Sequence, residues 1–175
     1  MTFNDFRKRI EDSYVFYGAV IFFVTFLVFG KATNNDFVNF DDPAFVLENP
    51  MVLEFSVENL KEIFTSLHTA NWQPLTWLSH SLDHFLFGAN PQGHHFTSVF
   101  IHGLNAFLIF LLFELISRTK FPENHHKITI RYAGLVVAIL FAIHPLRAES
   151  VVWVSERKDL LCALFVLLAY RSYIL

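Results

Sequence analysis

Four blocks of apolar residues alternate with polar stretches along the chain. Tyr14 to Gly30 runs for 17 residues without a charge, and Phe96 to Ile116 for 21 residues with one acid, Glu114, near its end. Ile128 to Leu146 contains Arg131, whose stem can lie in lipid while its head reaches the interface. Asp159 to Leu175 begins a fourth block, and the chain stops there. A bilayer core about 30 Å thick takes about 20 mostly apolar helical residues. The pattern therefore predicts an all-α integral membrane fold of about four transmembrane helices, at the front end of a longer membrane protein. The helices are expected over 14–30, 96–117, 128–146 and 159–175, the last reaching the end of the chain.

Lysine and arginine counts at the span ends set the expected orientation. Arg7, Lys8 and Arg9 precede the first block, and Arg118, Lys120, Lys127 and Arg131 lie between the second and third. The 65 residues from Lys31 to His95 hold only Lys31 and Lys61 against eight acids. Residues 1–13 and the turn over 118–127 are thus expected in the cytoplasm, with a long extracytoplasmic loop over 31–95. The turn over 147–158 then also lies outside, although it carries Arg147, Arg157 and Lys158. Binding an anion at the outer surface would give that exception a reason. Gly30 and Ala32 follow the first apolar core at a spacing that suits signal cleavage. The length of that core and the blocks after it favour an uncleaved anchor.

Within the long loop, two amphipathic helices are legible, and both are expected to lie along the outer membrane surface. One carries Val57, Leu60, Ile63, Phe64 and Leu67 at helical spacing behind Ser56, a good N-cap. The other opens at Pro74, carries Leu75, Leu78, Leu82, Phe85 and Leu86, and closes at Gly88. Trp72 and Trp77 suit an interfacial aromatic belt.

Composition narrows the classes. Hydrophobic residues make up 54% and charged residues 17%, with 22 phenylalanines and a formal charge of −3. That balance excludes a disordered tail and a nucleic-acid binder driven by net basicity. Cys162 is the single cysteine, so no intrachain disulfide can form.

Several side chains could carry chemistry. Asp41 and Asp42 follow the first span, in FVNFDDPAFVLENP. Pro43 biases Asp42 toward extended geometry, which would point the two carboxylates to opposite sides and give them different jobs. A carboxylate near a low-dielectric surface has its pKa pushed upward, toward a general base for neutral pH. The bland reading is an Asp-Pro turn. The turn HPLRAESVVWVSERKD runs from His144 to Asp159. If 147–158 is helical, Glu149, Trp153 and Arg157 form one stripe, and Trp153 can hold the Arg157 guanidinium by cation–π contact. A guanidinium so held suits phosphate, with Lys158 as a second charge; the bland reading has both snorkel to lipid headgroups. His80 and His84 stand four apart on the second loop helix, and His94 and His95 follow. Two such histidines can share a metal, but no third ligand at a diagnostic spacing accompanies them, so they are weak candidates and no metal is expected from spacing. His102 and Asn105 mark an inward face of the second span, and Glu114 is expected to be solvated at its cytoplasmic end.

The stretches FVNFDDPAFVLENP, NWQPLTWLSHSLDHFLFGANPQGHHFTSVFIHGLNA and HPLRAESVVWVSERKDLL resemble the membrane portion of the transmembrane-and-tetratricopeptide-repeat family. That family is similar to protein O-mannosyltransferases, within the GT-C class of membrane glycosyltransferases. The resemblance implies a multi-span enzyme of the bacterial inner membrane or endoplasmic reticulum. It would transfer a mannose-like sugar from a polyprenyl- or dolichyl-phosphate donor to a hydroxyl of an acceptor protein or glycan, with Ser or Thr the expected site, on the extracytoplasmic face. By the same resemblance Asp41 is the base with Asp42 in support, and Arg157 or Lys158 binds the lipid phosphate. His144, Glu149, Trp153, His95, His102 and Asn105 are expected to support the site. Membrane lipids are the other expected partner, nucleic acid is not expected, and a divalent cation is left open. The family's further spans and 34-residue helical repeats do not occur in these 175 residues. The alternatives are a non-catalytic multi-pass scaffold and an inactive truncated fragment.

Overall fold

A computed structural model describes residues 13–120 and 127–175. The basic cluster Arg7, Lys8 and Arg9, and most of the expected 118–127 turn, lie outside the described residues. What is described is helical: α1 Tyr14–Phe29, α2 Pro50–Leu53, α3 Val57–Thr65, α4 Pro74–Phe87, α5 Pro91–Lys120, α6 Lys127–Ala142, α7 Ala148–Val152 and α8 Arg157–Ile174. Among the described residues, Tyr14–Asn34 and Pro91–Lys120 are each long and apolar enough to cross a membrane. A third crossing follows if α6 and Pro145–Val152, bent by 55°, count as one. These helices make the chain a multi-pass membrane protein. The expected fourth span does form a helix, α8. Its 18 residues include Arg157, Lys158, Asp159 and Arg171, so length and apolarity alone do not mark it as a crossing.

α1 starts where sequence placed it, because the Ser13 hydroxyl accepts from the Phe16 N–H. The helix is apolar all round, yet the protein buries only Tyr17, Ile21, Thr25 and Phe29, one stripe at a four-residue repeat. Val15, Phe23 and Leu27 stay exposed, as expected of a helix with lipid on its other faces. The central core joins that stripe to Ala106 and Phe110 of α5 and Ala138 and Ala142 of α6. Close approach needs small residues here. A Cβ at Gly103 would lie 2.8 Å from the Phe22 ring. Gly103→Ala is therefore expected to cost about 1–3 kcal/mol through overpacking, read from the midpoint of unfolding in mild detergent.

Two expectations about charge near the spans are corrected. Glu114 is not solvated but buried, with Arg118 Nη2 at 2.5 Å and Arg131 Nε at 3.1 Å. Arg131 does not snorkel: it is buried, and its guanidinium also stacks over the Tyr14 ring. The Arg131 guanidinium lowers the cost of burying the Glu114 carboxylate and is stabilised by it in turn. The exposed Arg118 adds a second positive charge from the rim.

The 31–95 segment has a core of its own. Val46, Met51, Val52, Ile63 and Trp77 pack with Val154 from the turn before α8. Trp77 is thus a core residue rather than part of an interfacial belt, whereas Trp72 is exposed. Both expected helices form with the expected signals: the Ser56 hydroxyl accepts from Asn59 N–H, Pro74 opens α4, and Gly88 closes it at φ 62°. The orientation of α4 differs from that of a soluble amphipathic helix. Leu75, Leu82, Phe85 and Leu86 point away from the protein, while Thr76, His80, Ser81 and Asp83 are buried. The polar side finds its partners within the protein, and the apolar side is left largely uncovered by the described residues.

Candidate functional site at one end of the bundle

Asp42 organises this end. It is fully buried; its Oδ2 accepts from Val38 N–H at 2.7 Å, and its Oδ1 accepts from Ser155 N–H at 2.9 Å and from the Ser155 hydroxyl. The extended geometry expected before Pro43 is not adopted: Asp42 has φ −58° and ψ −38°, because a π-type turn over Pro43–Leu47 begins beside it. The two acids nevertheless differ in their surroundings. Asp41 is half-buried, and its main-chain carbonyl accepts from Phe45 N–H at 2.9 Å. Asp42 thereby links the loop after α1 directly to the turn before α8.

That turn is not one helix. A 3₁₀ turn over Pro145–Arg147 leads into α7, Trp153 breaks the path at φ −89° and ψ 119°, and a second 3₁₀ turn over Val154–Glu156 leads into α8. The conditional stripe of Glu149, Trp153 and Arg157 is therefore not formed. Trp153 packs against Phe40 instead, with ring centroids 6.0 Å apart and planes tilted by 52°. His144 is exposed and caps the first turn, its Nδ1 accepting from Leu146 N–H at 3.3 Å. Glu149 is exposed on a groove of about 510 Å³ that also takes in Val38, Phe40, Val152 and Trp153.

Arg157 and Lys158 part company. Arg157 is fully buried: Nη1 lies 2.6 Å from Asp83 Oδ2, Nη2 donates to the His94 carbonyl at 2.7 Å, and the Ser79 and Ser98 hydroxyls accept at 2.9 and 3.2 Å. Every arm of the guanidinium is occupied by this chain. Lys158 remains partly exposed, pairs with Glu156 at 2.7 Å, and edges an apolar groove of about 480 Å³ whose walls include Trp72, Leu75, Leu161 and Phe165.

The remaining expected residues are buried on α5. His102 Nε2–H donates to the Ala142 carbonyl at 2.9 Å, and Asn105 Nδ2 donates to the Leu160 carbonyl at 2.9 Å. They bind α5 to the end of α6 and the start of α8. His95 is buried too, about two turns before His102 on the same helix.

Sequence reasoning passed over Asp83, Ser155, Ser79 and Ser98. The one available signal was His80-x-x-Asp83, two polar residues a turn apart on one helix face. Burial holds the His80 imidazole well below its ordinary value, with the Arg157 charge adding to the effect. Burial raises the Asp83 carboxyl, against the opposing pull of Arg157 and the Thr97 hydroxyl.

Comparison with characterised proteins decides the kinship. Protein O-mannosyl-transferase TMTC4 of Mus musculus is 29% identical over 164 residues, which cover 88% of this chain and 22% of that protein. Protein O-mannosyl-transferase TMTC1 of Mus musculus is 31% identical over 156 residues, 84% of this chain and 15% of that protein. Its Drosophila melanogaster counterpart, Tmtc1, is 35% identical over 103 residues, covering 59% and 11%. The chain is a relative of the TMTC protein O-mannosyl-transferases. Its match to TMTC4 spans about a fifth of the length of that mannosyl-transferase. No protein-family model matches it, and no solved structure does.

Proposed function

We propose that the protein carrying this chain is a membrane mannosyltransferase-like enzyme. It moves a sugar from a polyprenyl- or dolichyl-phosphate donor to a Ser or Thr hydroxyl of an acceptor protein on the extracytoplasmic face. The chain would supply the first part of that site, with its amino terminus in the cytoplasm and α8 serving as a fourth crossing. One observation carries the reading: the bond from Asp42 to Ser155 holds the acidic loop and the cationic turn at the same end of the bundle. A carboxylate and a cation can then face opposite ends of one glycolipid. The kinship with O-mannosyl-transferases supports the same class of chemistry.

The roles follow from which groups are least engaged and partly exposed, Lys158 having only its pair with Glu156 among the described residues. Asp42 is spent on three donors and acts as a support. Asp41 takes the proton from the acceptor hydroxyl as its oxygen bonds to the anomeric carbon. The bond from that carbon to the donor phosphate breaks in the same step, which inverts the centre, and the electron pair leaves with the phosphate. Lys158, rather than the fully engaged Arg157, neutralises that phosphate. The groove beside Lys158 offers apolar walls for the lipid chain.

In the whole protein, Asp41→Asn is expected to lower transfer at least about a hundredfold, the usual scale for a lost general base. Membrane insertion and expression should be unchanged, because that side chain takes no buried hydrogen bond among the described residues. Sugar transfer to an acceptor peptide, with insertion followed by protease protection, is the measurement. Transfer at the normal rate would leave the non-catalytic scaffold as the better reading.

A further inference from the structure

We propose that His80, Asp83 and His94 bind a single transition-metal ion of the zinc class. One ligand atom from each residue lies within 4.8 Å of the other two, and all three side chains are buried. His80 and Asp83 stand one turn apart on α4, and His94 enters from the first turn of α5, across the bend at Gly88. A metal ion would draw such atoms together from three places that the fold already brings close.

The hydrogen bonding independently points to a missing partner. Neither ring nitrogen of His80 has a hydrogen-bond partner among the described residues, and neither does His94 Nδ1. Buried polar atoms are seldom left so, and an imidazole lone pair facing a carboxylate gains nothing without a cation between them. The tautomer of His94 is fixed in the useful sense. Its Nε2–H donates to the Gly88 carbonyl at 3.2 Å, which leaves the lone pair on Nδ1, 3.7 Å from Asp83 Oδ2. A main-chain carbonyl that orients a ligating histidine in this way is a usual outer-shell device of metal sites. Asp83 is oriented too: the Thr97 hydroxyl donates to Oδ1 at 2.8 Å, so Oδ2 faces the histidines.

Arg157 sets the terms. Its guanidinium sits 2.6 Å from Asp83 Oδ2 but is also held by Ser79, Ser98 and the His94 carbonyl, so the carboxylate can bridge guanidinium and metal without Arg157 moving. The fixed positive charge makes binding weaker than in a closed four-ligand structural site. Two imidazoles and one carboxylate suit Zn(II), Co(II) or Ni(II); Mg(II) and Ca(II) prefer oxygen shells. The pair expected from spacing, His80 with His84, is thus replaced by a set containing Asp83 and His94. The three ligands are none of the residues given a role in the proposed sugar transfer, and the site does not depend on that reading.

The test uses the chain in lipid nanodiscs, stripped with chelator and dialysed against Zn(II) or Co(II). About one ion per chain and the intense visible bands of four-coordinate Co(II) are expected. His80→Gln and His94→Gln should each weaken binding at least about tenfold, while His84→Gln leaves it unchanged. His80→Cys, in a Cys162→Ser background, should add a near-ultraviolet thiolate-to-cobalt band, a direct sign of ligation even if the glutamine variants fold poorly. Three results would overturn the proposal: no stoichiometric ion on the unaltered chain, a weak six-coordinate cobalt spectrum, or the same affinity in both glutamine variants.

Discussion

Arg157→Met is expected to destabilise the chain by about 3–5 kcal/mol, the cost of leaving one member of a buried ion pair alone. Arg157 is fully buried and Asp83 nearly so, so water cannot take over the role of the lost guanidinium. The same change also strands the His94 carbonyl and the hydroxyls of Ser79 and Ser98. Adding Asp83→Leu should recover much of the loss, because the orphaned charge leaves with its partner. Unfolding in mild detergent with chelator present gives both variants and the unaltered chain on one scale. A loss under about 1 kcal/mol for Arg157→Met would place this pair with solvated surface pairs and contradict its burial.

Asp42→Ala is expected to cost about 3 kcal/mol or more, since the N–H groups of Val38 and Ser155 and the Ser155 hydroxyl lose their acceptor together. Ser155→Ala should cost only about 1 kcal/mol, because Asp42 keeps both main-chain donors. The distinguishing readout is local. Amide exchange should rise at Val38 and through the 153–156 turn in Asp42→Ala, while Asp41→Asn leaves it unchanged. Equal protection in Asp42→Ala and the unaltered chain would mean that the contact between the two loops does not hold them.

What could be read in the sequence was what local chemistry dictates. Ser56, Pro74 and Gly88 mark helix ends through groups a few residues away, and the helices stand where those residues put them. The long apolar runs at Tyr14 and Phe96 declared themselves by length. Pairing across distance was hidden. Arg157 meets partners 59 and 78 residues earlier, and Ser98 and Ser79 carry no spacing signal of their own. The break at Trp153 was also hidden, because no glycine or proline stands within 148–156 to announce it. For α4 the apolar stripe was visible but its direction was not: periodicity gives a face, and only the surrounding solvent decides whether that face turns inward. Glu114 misled for a similar reason, as its proximity to a span end says nothing of Arg131 on the next helix.

The Asp42–Ser155 contact joins residues 113 positions apart. During synthesis, the loop after α1 leaves the ribosome long before the turn that completes it. Until Ser155 emerges, the Asp42 carboxylate and the cluster around Trp77 wait without Val154 and its neighbours. Closure of this region therefore waits for Ser155, and a chain cut short before it would carry an unclasped segment after its first membrane passage.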